Sequence, residues 1–117
     1  MRGTATVLIL SSLLLAAEAA YAHAFLDRAE PRVGSTVNSA PRQVSLSFTQ
    51  SLEPAFSAVE VRDANGARVD QGKAQVSGSS MHIGLKALSS GTYKVHWRAL
   101  SVDTHTTEGS FSFHVAH

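Results

Sequence analysis

The side chains most able to do chemistry in this 117-residue chain are its six histidines, and they fall into two groups. His82, His96 and His114 each alternate with apolar residues in period-two runs, which turns the imidazole away from the apolar face and toward solvent. His117 ends the chain. These four read as solvated polar residues. His105 differs, because it follows Asp103 by two positions in Ser101-Val102-Asp103-Thr104-His105. In an extended segment such a pair points to one side, about 6.6 Å apart. A carboxylate and an imidazole so placed can converge on a metal ion, or simply bond to each other in a turn. His23 differs for another reason: it lies at the end of a segment that reads as an export signal. If cleavage falls directly before it, its α-amino nitrogen and Nδ1 can close a six-membered chelate ring on one ion. An α-amino group titrates at about 7.7–8.0, so a metal displaces its proton easily near neutral pH. His23, Asp103 and His105 would then offer three nitrogens and one oxygen. That set suits tetragonal Cu(II), one ion per chain, and favours it over Zn(II) by the Irving–Williams order.

The export reading rests on Arg2, the apolar run from Val7 to Ala17, and the small residues up to Ala22. The run is too short to span a bilayer, so residues 1–22 are expected to be cleaved and residues 23–117 to form one domain that does not cross a membrane. Three A-x-A patterns compete, ending at Ala19, Ala22 and Ala24. Only a cut after Ala22 places His23 at the new N-terminus.

Composition narrows the partners. The formal net charge is +1, and Arg2 and Glu18 leave together, so the exported domain keeps that balance. Nothing in it calls for nucleic acid. Cysteine is absent. The domain must therefore hold together through its core, and a metal site must use nitrogen and oxygen donors.

The elements that must position these residues are strands. Val44, Leu46 and Phe48 alternate with polar residues, as do Val59 and Val61; Met81, Ile83 and Leu85; Tyr93, Val95 and Trp97; and Phe111, Phe113 and Val115. Turn signals separate them: Pro31 to Gly34, Asp63-Ala64-Asn65-Gly66 with its hairpin-type Asn-Gly, Ser77 to Ser80, and Ser89-Ser90-Gly91. No useful helical period follows residue 23. The expected fold is all-β: an Ig-like β-sandwich or small Greek-key barrel of about seven strands.

His23-Ala24-Phe25-Leu26, followed by Pro31, Gly34, Pro41 and the Val44/Leu46/Phe48 strand, resembles the start of CopC-like copper-resistance proteins. The stretch GTYKVHWRALSVDTHTTEGSFSFHV, Gly91 to Val115, resembles that family's closing signature. The resemblance selects the cut after Ala22. It implies a periplasmic Ig-like barrel that binds Cu(II) through His23, Asp103 and His105. Some members carry a Glu near the metal where this chain has Gln50; Glu53 is close by in sequence. Others carry a Met-rich loop for Cu(I), whereas the exported chain has only Met81, so Cu(II) alone is expected. Trp97 is expected in the core, with Arg98 orienting Asp103.

The function expected is a monomeric periplasmic Cu(II)-binding protein, not an enzyme. It would sequester copper or pass it to a CopD-like inner-membrane copper transporter. Two alternatives differ in class: a copper-dependent oxidative enzyme of the histidine-brace type seen in polysaccharide monooxygenases, and a plain Ig-like interaction module with incidental histidines.

Overall fold

A computed structural model describes residues 24–116. The expected export segment and cut site, with His23 and His117, lie outside the described residues. Eight strands form two four-stranded sheets, with no α-helix among the described residues. In chain order they are β1 (Leu26–Glu30), β2 (Thr36–Val37), β3 (Gln43–Phe48), β4 (Ala58–Arg62), β5 (Asp70–Ser77), β6 (Ser80–Leu85), β7 (Gly91–Leu100) and β8 (Thr106–Val115). One sheet runs β1-β3-β6-β5 and the other β2-β8-β7-β4. All pairings are antiparallel except the short β2–β8 pair. The chain is a β-sandwich.

The five alternating runs all become strands, and their apolar positions form the core between the sheets. Val44, Leu46, Phe48, Met81 and Ile83 come from one sheet. Val61, Val95, Trp97 and Phe113 come from the other. Burying a side chain of this size stabilises the fold by about 1.5–3 kcal/mol. Phe48 meets Trp97 edge-to-face, with centroids 5.1 Å apart, and Tyr93 stacks on Phe113 at 5.5 Å. Trp97 is therefore a core residue, as expected. Its ring approaches Gly109, its cross-strand partner on β8. A Cβ at position 109 would fall 2.5 Å from the Trp97 ring, so only glycine fits there without movement.

Two elements depart from the pattern. β5 has no alternating apolar set to announce it, because it is an edge strand whose middle positions are mostly exposed. The Asp63–Gly66 turn does form: Asp63 Oδ1 accepts the N–H groups of Asn65 and Ala67, and Gly66 adopts φ 84°. Yet it does not close an ordinary hairpin. After one bridge, Arg62 to Arg68, the chain leaves the β4 sheet and joins the other. The departure is made possible at Val61. Its carbonyl accepts the N–H of Val69, and its own N–H donates to the Asp70 carboxylate at 2.7 Å. A side chain replaces the backbone partner that a continued ladder would have supplied.

Candidate metal centre

β7 and β8 pair over their whole length, from Gly91 opposite Val115 to Leu100 opposite Thr106. Their connection, Ser101 to His105, therefore sits at a fixed end of the sandwich. The Ser101 N–H donates to the His105 carbonyl at 3.0 Å, and the Thr104 N–H to the Ser101 carbonyl at 2.9 Å. Thr104 takes a left-handed conformation, φ 69°, costly for a β-branched residue and held by the closed loop around it. Ser101 is wholly buried and continues the inward phase of Tyr93, Val95, Trp97 and Ala99. Asp103 and His105 are both exposed. They lie in this turn, not in the extended segment from which a same-side geometry was expected. What keeps them together is loop closure.

A second loop braces the first. Leu52 bridges to Ser101, the Val102 N–H donates to the Ser51 carbonyl at 3.1 Å, and the Glu53 N–H to the Leu100 carbonyl at 2.8 Å. Ser57 Oγ accepts the Leu100 N–H. Gln50 and Glu53 thus belong to the loop that is bonded to Leu100, Ser101 and Val102.

The start of the described chain reaches the same place. Ala24 is wholly buried, and its carbonyl accepts the hydroxyl of Thr107, two residues beyond His105. Phe25 exchanges bonds with Thr49: its N–H donates to Thr49 Oγ1 and its carbonyl accepts the Thr49 N–H, both at 2.9 Å. Residues 24 and 25 are consequently pinned between the end of β3 and the start of β8. Thr49 and Thr107 were not apparent from sequence, since nothing local distinguishes a threonine that will bond across 24 or 83 positions. Ser101 was legible in principle, from the alternation of β7.

Among the described residues no three His, Asp or Glu side chains group closely enough to hold a metal ion. Asp103 and His105 share one exposed turn, with no third such side chain grouped with them among the described residues. The other histidines are placed elsewhere. His82 is exposed on β6. His114 Nδ1 shares a 2.9 Å hydrogen bond with Thr92 Oγ1. His96 lies between Ser110 Oγ and Glu108 Oε1, each at 2.9 Å. Nearby, the Arg62 hydrogen bond holds the Glu60 carboxyl below its ordinary pKa against the opposing effect of burial, and the charges of Arg62, Arg68 and His96 add to it. Arg98 stands opposite Glu108 in the β7–β8 register. No ion pair joins it to Asp103 among the described residues, so the expected orienting role finds no support.

Two packed four-stranded sheets define a β-sandwich, and the β7–β8 turn at one end carries Asp103 and His105. The CopC domain profile matches residues 26–116, and the chain belongs to that family. Copper resistance protein C of Xanthomonas campestris pv. juglandis is 36% identical, over 97% of this chain and 96% of its own length. Copper transport protein CutJ of Bacillus subtilis (strain 168) is 30% identical over 93% of this chain, which spans only 21% of that longer protein. Among solved structures, CopC from Methylosinus trichosporium OB3b superposes with a TM-score of 0.71 at 33% identity, covering 80% of this chain and 93% of that one. PcoC, described as a methionine-rich copper resistance protein from Escherichia coli, gives 0.70 at 30% identity, with 80% and 99% covered. This chain is not methionine-rich: it has two methionines, Met1 and Met81, and Met81 is wholly buried in the core.

Proposed function

We propose that the protein binds one Cu(II) ion per chain after export to the periplasm and cleavage behind Ala22. The donors are the α-amino nitrogen and imidazole of His23, the imidazole of His105 and the carboxylate of Asp103. The role is copper resistance, by sequestering the ion or passing it to an inner-membrane transporter of CopD type. The observation that carries this reading is the anchoring of Ala24 to Thr107. Residue 23 is bonded to Ala24, and consecutive Cα atoms are about 3.8 Å apart. The missing donors therefore start one residue from a fixed point beside the His105 loop.

Donor chemistry supports the oxidation state. Imidazole, amine and carboxylate suit Cu(II), whereas Cu(I) favours thioethers, and Met81 is inside the core. The copper resistance proteins among its relatives support binding rather than turnover as the role.

The deciding experiment is a Cu(II) titration of protein beginning at His23, beside a version carrying one extra residue in front. The extension removes the primary amine from the chelate and should weaken binding roughly 100-fold. Equal affinity in the two would overturn the site.

A further inference from the structure

Large apolar side chains are exposed unevenly over the described surface. Phe56 is 66% exposed, Val102 49% and Phe25 44%; the fourth, Val33, lies in the turn beside Arg32. The first three lie on the segments that meet at the candidate centre. Val33 is far from them along β8, where Gly34 donates to the Ser112 carbonyl. Phe56 has no structural use that would explain it. It ends a single 3₁₀ turn, Pro54–Phe56, in which no residue is buried, while Leu52 does the core packing for that loop. Isolated apolar residues on a surface are ordinary, but a group collecting around one functional end marks an interaction site. Two of these three segments, those carrying Phe56 and Val102, are acidic. Residues 49–57 contain Glu53 and residues 101–107 contain Asp103, with no Lys or Arg in either stretch.

We propose that this apolar, acidic collar docks a partner protein presenting apolar side chains flanked by Lys or Arg, and that copper is exchanged across the contact. The proposal rests on the copper reading above and names the partner's chemistry. A second copy of the chain is disfavoured, because a two-fold contact through this end would set one acidic patch, Glu53 and Asp103, against the same patch of the other copy. An anionic lipid surface is disfavoured because the loops offer it no cation. Three side chains cover a few hundred Å², well below the ~1,200 Å² of a stable specific interface. The contact is therefore transient, as exchange requires.

The test uses metal-free, isotope-labelled protein beginning at His23. Its probes are a synthetic amphipathic peptide of Leu, Trp and Lys, the same peptide with Glu for Lys, and phosphatidylglycerol vesicles. The basic peptide should shift the amide resonances of residues 25, 49–57 and 101–105. Phe56→Ser should weaken that binding about fivefold while leaving the melting temperature and Cu(II) affinity unchanged. Equal binding of the acidic peptide, shifts centred instead on Arg42 and Lys86, preferential binding of vesicles, or no shift at all would overturn the docking surface. Cu(II) titration of the same samples is a separate readout. Its failure would overturn the copper reading, whereas its success without peptide binding would remove only the collar.

Discussion

Asp70 and Asp103 are the same residue type in opposite settings. Asp70, at the start of β5, is buried, and all its bonding capacity is directed inward. Oδ2 accepts the Val61 N–H at 2.7 Å and Arg68 Nε at 2.9 Å, and Oδ1 accepts the second Arg68 nitrogen at 2.8 Å. Burial alone would raise its pKa. The Arg68 hydrogen bond, the Val61 N–H and the Arg68 charge outweigh that effect and hold it below the ordinary value. Asp103 is exposed in the β7–β8 turn, and among the described residues no ion pair or side-chain hydrogen bond engages its carboxylate. The contrast separates two uses of a carboxylate. Where its oxygens are filled by fixed donors it organises the chain, here the crossing from β4 to the opposite sheet. Where they are left open on an exposed loop it can take a cation.

The largest effect is expected from breaking the first case. Asp70→Ala leaves the Val61 N–H and one face of Arg68 without their partner. It should cost about 2–3 kcal/mol in denaturant unfolding, toward the lower end for a broken buried pair because Arg68 is itself half exposed. Cu(II) affinity of the folded fraction should be unchanged. Gly109→Ala comes next, at about 1–3 kcal/mol, since the added methyl must displace the Trp97 ring. A near-UV circular dichroism change at the tryptophan bands would accompany it, and an unchanged spectrum with full stability would contradict the packing described.

Asp103→Ala should reverse the pattern. Its melting temperature should stay within a degree or two of the parent, while Cu(II) affinity falls about tenfold, equivalent to about 1.4 kcal/mol. A loss of stability there, with copper binding intact, would collapse the distinction between the two carboxylates.

A smaller effect follows from pH. Because the folded state holds Asp70 more strongly ionised than the unfolded chain does, its contribution is present above the unfolded pKa of about 3.9. It is lost as pH falls through the lower folded value. The stability gap between the parent and Asp70→Asn should therefore be constant near neutrality and narrow below about pH 4. A gap that widened in acid would reverse the assignment.

Smallest of all is His96→Ala. It removes exposed bonds to Glu108 and Ser110 and should change stability by at most about 0.5 kcal/mol and copper binding not at all. A measurable loss of Cu(II) would draw this strand face into the metal chemistry.

Much of the fold was legible because strand burial has a period of two. Val44 to Phe48, Met81 to Leu85, Tyr93 to Trp97 and Phe111 to Val115 announce both their strands and their inward faces. β5 and β2 were not legible. An edge strand with exposed positions needs no apolar alternation, and a two-residue strand such as Thr36–Val37 exists only through its register with His114 and Val115. The Asn-Gly turn was read correctly as a turn but not as a sheet-crossing. The choice between the two depends on whether the Val61 N–H meets a strand or a carboxylate from nine residues further on.

The sequence by itself determined the donors available. It has no cysteine and two methionines, Met1 and Met81, and it places a histidine where the proposed cleavage would expose an amine and an Asp-x-His pair between two strongly alternating strands. Those are properties of residue type and local order, and they survive without coordinates. Only the tertiary structure decided that Ala24 is tied to Thr107, that a second loop braces Ser101 and Val102, and that Phe56 is left exposed at the same end. Each of these joins parts of the chain far apart in sequence, and such contacts come into being only when the two sheets pack.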